Sequence, residues 1–149
     1  MLGRFDGDPV VLPAVSAEVT TEPARTALER WREAASIRSE PPIDLEPNRG
    51  RAVLGDADVS ADAWLLAAVL AHAEQPVGLV SDDRRLRTVA RGLGATVTGT
   101  IGVVVRALET GVSAADGTQL IRRLDEHGLH MTAELRATAI DLVEQAATE

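Results

Sequence analysis

The sequence predicts an α/β protein with a short parallel sheet flanked by helices and a helical hairpin at its C-terminal end. Short apolar runs alternate with longer segments in which apolar residues recur at helical spacing, and this alternation is typical of a parallel sheet with crossover helices. After Gly111, two more helical segments follow one another around Gly128. We interpret them as two antiparallel helices.

Composition places limits on the class of protein. The chain has 149 residues, enough for an ordinary core, and no apolar run long enough to cross a bilayer. Its first residues lack the apolar segment of a secretory signal. We therefore expect a soluble, cytoplasmic protein. No cysteine is present, which excludes disulfides and thiolate metal sites.

The charge pattern is unusual. The formal net charge is −8, and all 15 basic residues are arginine. This acidic, lysine-free composition favours a halophilic protein, with a GC-rich genome as the alternative explanation. Net negative charge normally opposes binding to nucleic acid, but high salt shortens the range of that repulsion. A nucleic-acid partner is therefore not excluded.

The first elements are short. Residues 9–13, reading PVVLP, predict a brief buried strand. Residues 14–19 predict a helical turn that carries Glu18, and Pro23 suits the first position of the next helix. In that helix, Trp31 shares a face with alanine and leucine residues, so we interpret it as a core residue.

A connection and a buried helix come next. Residues 39–51 contain three of the seven prolines, together with Asn48 and Gly50, and predict a connection. From Ser60, a suitable N-cap, apolar side chains cover most of a helix that reaches His72. Asp62 then lies in the first turn of a buried helix. His72 is interpreted as a core or boundary residue.

Residues 77–94 predict a strand, an acidic turn and a helix. An apolar run stops at Ser81, Asp82 and Asp83, and a helical pattern follows until Gly94. Ligands of open parallel sheets bind where strands end and helices begin. The same residues also allow a purely structural interpretation, in which Ser81 caps the helix and the acids complement its dipole.

The C-terminal part predicts an edge strand and three helices. The strand covers residues 96–98, and the helices cover residues 100–110, 113–127 and 132–146. The last two helices should pack through six apolar side chains: Leu120, Ile121 and Leu124 against Leu135, Ile140 and Val143. His127 and His130 straddle Gly128, which does not suit a pair of metal ligands on one helix face.

At these residues the sequence resembles the PIN-domain family, the nuclease fold of VapC-like ribonuclease toxins. The segment VVLPAVSAEV is similar to a family strand and helix with an acid at Glu18. VSADAWLLAAVLAHA resembles the buried helix that opens with an acid, here Asp62. LVSDDRRLRTVARGLG resembles the strand that ends before the functional acid, which makes this acid Asp83 and leaves Asp82 as the variable position.

The resemblance implies a three-layer PIN-like domain over residues 1–112, without the family's N-terminal strand and its Asp, and a C-terminal helical hairpin over residues 113–149 that packs on it. It implies a metal-dependent ribonuclease that hydrolyses RNA phosphodiester bonds. The implied partners are RNA, a small antitoxin protein and a second copy of the chain. The implied catalytic and metal-binding residues are Glu18, Asp62 and Asp83, with Ser81 and Asp82 in support.

The chemistry of these residues agrees with that role. Carboxylates without thiols select hard cations such as Mg²⁺ or Mn²⁺. Arg84, Arg87 and Arg91 are spaced to share one helix face beside the acids, where they could contact phosphates. The alternative is a solvated basic face that forms ion pairs.

Two other classes of protein share parts of this pattern. A catalytically degenerate PIN-like protein would act as a protein-interaction module. A phosphorelay receiver domain also places acids at a strand end, but it needs a lysine, and the chain contains none.

Overall fold

The computed structural model describes residues 7–35, 37–39, 44–126 and 131–146. Across these ranges the chain forms eight α-helices and a short, two-stranded parallel sheet, which confirms the predicted α/β class. None of the helices in the described ranges has the length and apolar character needed to span a membrane. The chain divides into two compact units between Val97 and Thr98, and each is described by itself.

The first unit begins with two helices, α1 (Pro13–Glu18) and α2 (Glu22–Ala35). The predicted strand over residues 9–13 is wrong. Only Val10 pairs, in an isolated parallel bridge with Arg38, and Pro13 starts α1 instead of ending a strand. Proline suits this first helical position because its φ is already helical and an N–H there has no partner within the helix.

Helix α2 lies largely in solvent, and the prediction that Trp31 is a core residue is wrong. The Trp31 side chain is 47% exposed. Pro23 occupies the second position of α2 rather than the first. The guanidinium of Arg32 donates a hydrogen bond of 2.6 Å to Oγ of Ser16, so a polar contact ties α2 to α1.

Helix α3 (Pro47–Leu54) replaces part of the predicted connection over residues 39–51. Pro47 opens it, and Gly55, at φ +74°, ends it in the left-handed conformation. Gly50 lies inside the helix because α3 crosses α4 (Ala61–Ala71) at very short range. A Cβ at Gly50 would lie 1.9 Å from the carbonyl oxygen of Ala63.

Helix α4 is buried, as predicted. Oγ of Ser60 accepts a hydrogen bond of 3.2 Å from the Ala63 N–H, which confirms Ser60 as the N-cap. At the other end, Nδ1 of the half-buried His72 lies 2.8 Å from the Ala68 carbonyl oxygen. The buried residues of α4 are Ala61, Ala63, Leu66, Ala67 and Val69.

The sheet of the first unit consists of β1 (Gly78–Val80) and β2 (Thr96–Thr98), joined by α5 (Arg84–Gly92). All three elements agree with the sequence predictions. Of the β1 residues, only Leu79 is buried, and Val80 is 52% exposed. The core of the unit is formed by α3, α4, α5 and the sheet, through Leu54, Ala63, Leu66, Val69, Leu79, Leu86, Ala90 and Ala95.

The second unit consists of three helices, α6 (Thr100–Glu109), α7 (Ala114–Glu126) and α8 (Ala133–Ala146). Gly111, at φ +101°, follows α6. Oγ1 of Thr132 accepts a hydrogen bond of 3.1 Å from the Leu135 N–H at the start of α8, as the predicted cap requires. The core contains Val104, Leu108, Ile121, Met131, Ala139 and Val143.

All but one of the six apolar side chains predicted for the hairpin belong to the core of the second unit or pack against it. Leu120, Leu124 and Ile140 pack against its core as expected, but Leu135 is 45% exposed, so its predicted place in the hairpin is wrong. Helix α6 packs with α7 and α8, and the domain boundary at 112 stays a prediction. His127 and His130 lie outside the described residues.

Candidate functional site

Asp83 lies in the turn between β1 and α5, at the carboxyl end of the strand. It is the N-cap of α5, and its Oδ1 accepts a hydrogen bond of 2.7 Å from the Leu86 N–H. The prediction that Ser81 is the N-cap is therefore wrong. Oγ of Ser81 instead accepts a hydrogen bond of 3.1 Å from the Asp83 N–H, which holds the turn in place. Asp82 is exposed between them.

Asp62 is the half-buried acid of this region. It lies in the first turn of α4, where Ser60 caps the helix. Burial raises the pKa of Asp62, and the negative charges of Asp83 and Glu18 raise it further. Because such charges act only at short range in solvent, Asp83 and Glu18 both lie within electrostatic reach of Asp62.

Glu18 reaches this region from a third element. It is the last residue of α1, is exposed, and belongs to a helix that packs against α4. Glu18, Asp62 and Asp83 all belong to the first compact unit. The fold therefore gathers acids from three helix ends that are far apart in the sequence.

The arginines of α5 differ in their surroundings. Arg84 and Arg91 are exposed, whereas Arg87 is half-buried. Nε of Arg87 is buried and has no hydrogen-bond partner among the described residues. Beside Asp83, a shallow surface depression is lined by Arg84, Arg85, Thr88 and Val89.

Two residues that the sequence analysis missed also belong to this region. Asp56 raises the pKa of Asp62, and Arg85 lowers it. A guanidinium nitrogen of Arg85 donates a hydrogen bond of 2.8 Å to Oδ1 of Asp56. The sequence could have pointed to Arg85 as a residue of this region, since it follows Asp83 by two positions. Asp56 could not, because its place depends on α3, which the sequence had assigned to a connection.

The donor chemistry of the region suits a hard cation, since every acidic candidate offers carboxylate oxygens. The spacing of these acids fits a metal site less well. In the part of the chain that the structure describes, no three His, Asp or Glu side chains are close enough together to hold a metal ion. The acids are thus near enough to repel one another without forming a closed set of ligands.

Fold and site together define an α/β protein with a carboxylate group at the carboxyl end of a parallel strand. A family model described as PIN domain matches residues 1–145. The chain therefore belongs to the PIN-domain family, a nuclease-type family. Searches of curated proteins and of solved structures returned no match.

Proposed function

We propose that the protein is a metal-dependent ribonuclease of the VapC toxin type, which hydrolyses RNA phosphodiester bonds. The observation that carries the proposal is that Glu18, Asp62 and Asp83 come from the ends of three different helices of one compact unit. Burial, and then the charges of Asp83 and Glu18, raise the pKa of Asp62. Acids that repel one another at a strand end destabilise the fold unless a cation compensates for their charge. Perturbed groups of this kind are found preferentially at functional sites.

In this proposal Asp62 and Asp83 would hold Mg²⁺ or Mn²⁺, and Glu18 would bind the same ion or orient the attacking water. When bound, the cation would supply an activated water and neutralise negative charge on the phosphodiester. Asp83 has a second task, because its Oδ1 also caps α5. Arg84, Arg87 and Arg91 would contact phosphates of the RNA. RNA is found in the cytoplasm, and we propose that the protein acts there.

Cleavage of a labelled RNA in the presence of Mn²⁺ or Mg²⁺ tests the proposal. Asp62→Asn and Asp83→Asn should each lower the rate by about 100-fold or more, as expected for the loss of a group that moves a proton or holds a cation. Asparagine caps helices about as well as aspartate, so Asp83→Asn separates the charge from the cap. Asp141→Asn, at an exposed acid of α8, is the matched control and should cleave at the wild-type rate.

Thermal unfolding with and without Mn²⁺ gives a second test that needs no RNA. A ligand that binds only the folded state raises the melting temperature. We expect millimolar Mn²⁺ to stabilise the wild type and the Asp141→Asn control, but not Asp62→Asn. The proposed ribonuclease activity would be refuted by two results together. Mn²⁺ would leave the wild-type melting temperature unchanged, and EDTA-treated protein reloaded with Mn²⁺ would cleave no RNA.

A second candidate function is a PIN-like protein that binds a protein partner and cleaves nothing. It is favoured by the spacing of the acids, since the described side chains include no group of three able to hold a metal. Under this hypothesis Asp62→Asn leaves partner binding intact. The antitoxin partner and the homodimer are further proposals, and sedimentation of the purified chain tests the dimer.

A further inference from the structure

Arg85 joins two parts of the chain that carry acids of the proposed site. It lies in the first turn of α5, two positions after the cap Asp83. Its guanidinium donates to Oδ1 of Asp56 at 2.8 Å and also to the carbonyl oxygen of Leu54. Both acceptors belong to the segment where α3 ends, which then runs through Ser60 into α4 and Asp62.

A second arginine also binds this segment. Arg51 of α3 donates hydrogen bonds to the carbonyl oxygens of Asp56, at 3.0 Å, and Ala57, at 3.4 Å. The segment at the end of α3 is therefore held by its own helix and by α5. Arg85 links this segment by hydrogen bonds to the helix that follows Asp83, and Leu54 shares an apolar core with Leu86 and Ala90 of that helix.

The ion pair itself contributes little to stability, because the Arg85 side chain is 57% exposed and the Asp56 side chain 29% exposed, and solvent screens pairs at such surfaces. Its geometry is more specific, because one nitrogen of a rigid, planar guanidinium donates to both acceptors, whereas a lysine ammonium has rotatable donors on a flexible stem. This guanidinium nitrogen of Arg85 already donates to two protein acceptors. Arg85 therefore differs from an arginine whose guanidinium is free to bind phosphate.

We propose that Arg85 is a positioning residue of the acidic site, which holds the helix of Asp83 in register with the segment that leads to Asp62. This inference rests on the proposed function. Its physical basis is that a displacement of reacting groups by about 1 Å can lower a rate by about 100-fold. The charge of Arg85 acts in the same place, since it opposes the effect of the acids on the pKa of Asp62.

The test uses Arg85→Gln, Arg85→Lys and Asp56→Ala in the full chain. Arg106→Gln is the matched control, since Arg106 pairs with Glu109 at the same distance of 2.8 Å and is also 57% exposed. Arg85→Lys keeps the charge but replaces the rigid guanidinium by a flexible ammonium. It should behave like Arg85→Gln if the fixed guanidinium geometry matters, and like the wild type if only the charge does. Asp56→Asn keeps the acceptor atom and should retain most of the function.

The first measurement is nuclear magnetic resonance of backbone amides, which does not depend on activity. Arg85→Gln should shift the amide of Ala63, which donates to the cap Ser60. Asp56→Ala should shift the amide of Leu86, which donates to Asp83. The effect of each substitution is thus measured at an amide of the helix that does not carry the substitution. Arg106→Gln should shift neither amide. Unchanged Ala63 and Leu86 amides would overturn the proposal.

The second measurement is steady-state RNA cleavage. A positioning role predicts that Arg85→Gln and Arg85→Lys lower kcat by about 10- to 100-fold and leave KM for RNA nearly unchanged. A raised KM with unchanged kcat would identify Arg85 as a phosphate contact and overturn the proposal. If the wild type cleaves no RNA, the proposed function fails, and the amide shifts alone decide whether Arg85 holds the two elements together.

Discussion

Gly50 offers the sharpest test of how α3 and α4 pack, and α4 carries Asp62. Replacing Gly50 by Ala would normally favour a helix interior by about 1 kcal/mol. Here the new Cβ would lie 1.9 Å from the carbonyl oxygen of Ala63 and 3.0 Å from the backbone nitrogen of Ala67. A carbon and a carbonyl oxygen approach no closer than about 3.3 Å. The two helices must therefore move apart by more than about 1 Å.

The cost of this separation exceeds the gain in helix propensity. Overpacking of a well-packed contact costs roughly 1–3 kcal/mol, and backbone atoms on the opposing side cannot rotate away as a flexible side chain could. With a cost near the upper end, the Gly50→Ala protein should be less stable than the wild type by about 2 kcal/mol. For a chain of this size the melting temperature should fall by roughly 6 °C.

Chemical and thermal unfolding of three proteins measure the effect: the wild type, Gly50→Ala and the control Gly92→Ala. Gly92 ends α5, and a Cβ there would have no atom within 4 Å. The control should keep or raise stability, by up to about 1 kcal/mol. If Gly50→Ala were as stable as Gly92→Ala, the close crossing of α3 and α4 would be refuted.

Three further predictions concern the charge of Asp62, the cap at Thr132 and the core residue Ile121. Asp62→Asn should raise the melting temperature at about pH 7, because ionised Asp62 is disfavoured only in the folded state, and the gain should fade as the pH drops to about 4, near the usual pKa of an aspartate. A gain that is equal at both pH values in thermal melts would contradict this. Thr132→Ala removes the cap of α8 and should lower the free energy of unfolding by about 1 kcal/mol in urea titrations, whereas Thr132→Ser should restore most of it. Ile121→Ala, at a fully buried position of α7, should cost about 2–5 kcal/mol, and a loss below 1 kcal/mol would place this side chain outside a packed core.

Elements with a local signal were predicted well. The signals for the cap at Ser60, for the apolar residues of α4 and for the glycines at the end of α5 each lie within a few neighbouring residues. The same holds for Thr132 at the start of α8. Each signal depends on backbone groups within one helical turn, so a single sequence is enough to find it.

Three of the errors have a common cause, because they concern residues whose role depends on a distant part of the chain. Gly50 resembles a turn residue until α4 is placed against it. Trp31 has the spacing of a core residue, yet its side chain is 47% exposed on α2. The run at residues 9–13 has strand composition but pairs only at Val10. Propensity and periodicity report what a segment favours, and tertiary contacts then select among these preferences.

By itself, the sequence determined the α/β class and most helices, since these depend on periodicity and capping within short segments, and its resemblance to the PIN-domain family singled out the three acids. Only the tertiary structure brought Glu18 and Asp83 within electrostatic range of Asp62 and joined Arg85 to Asp56. Hydrogen bonds and charge interactions act through space, and residues far apart in the chain meet only after α3, α4 and α5 have packed.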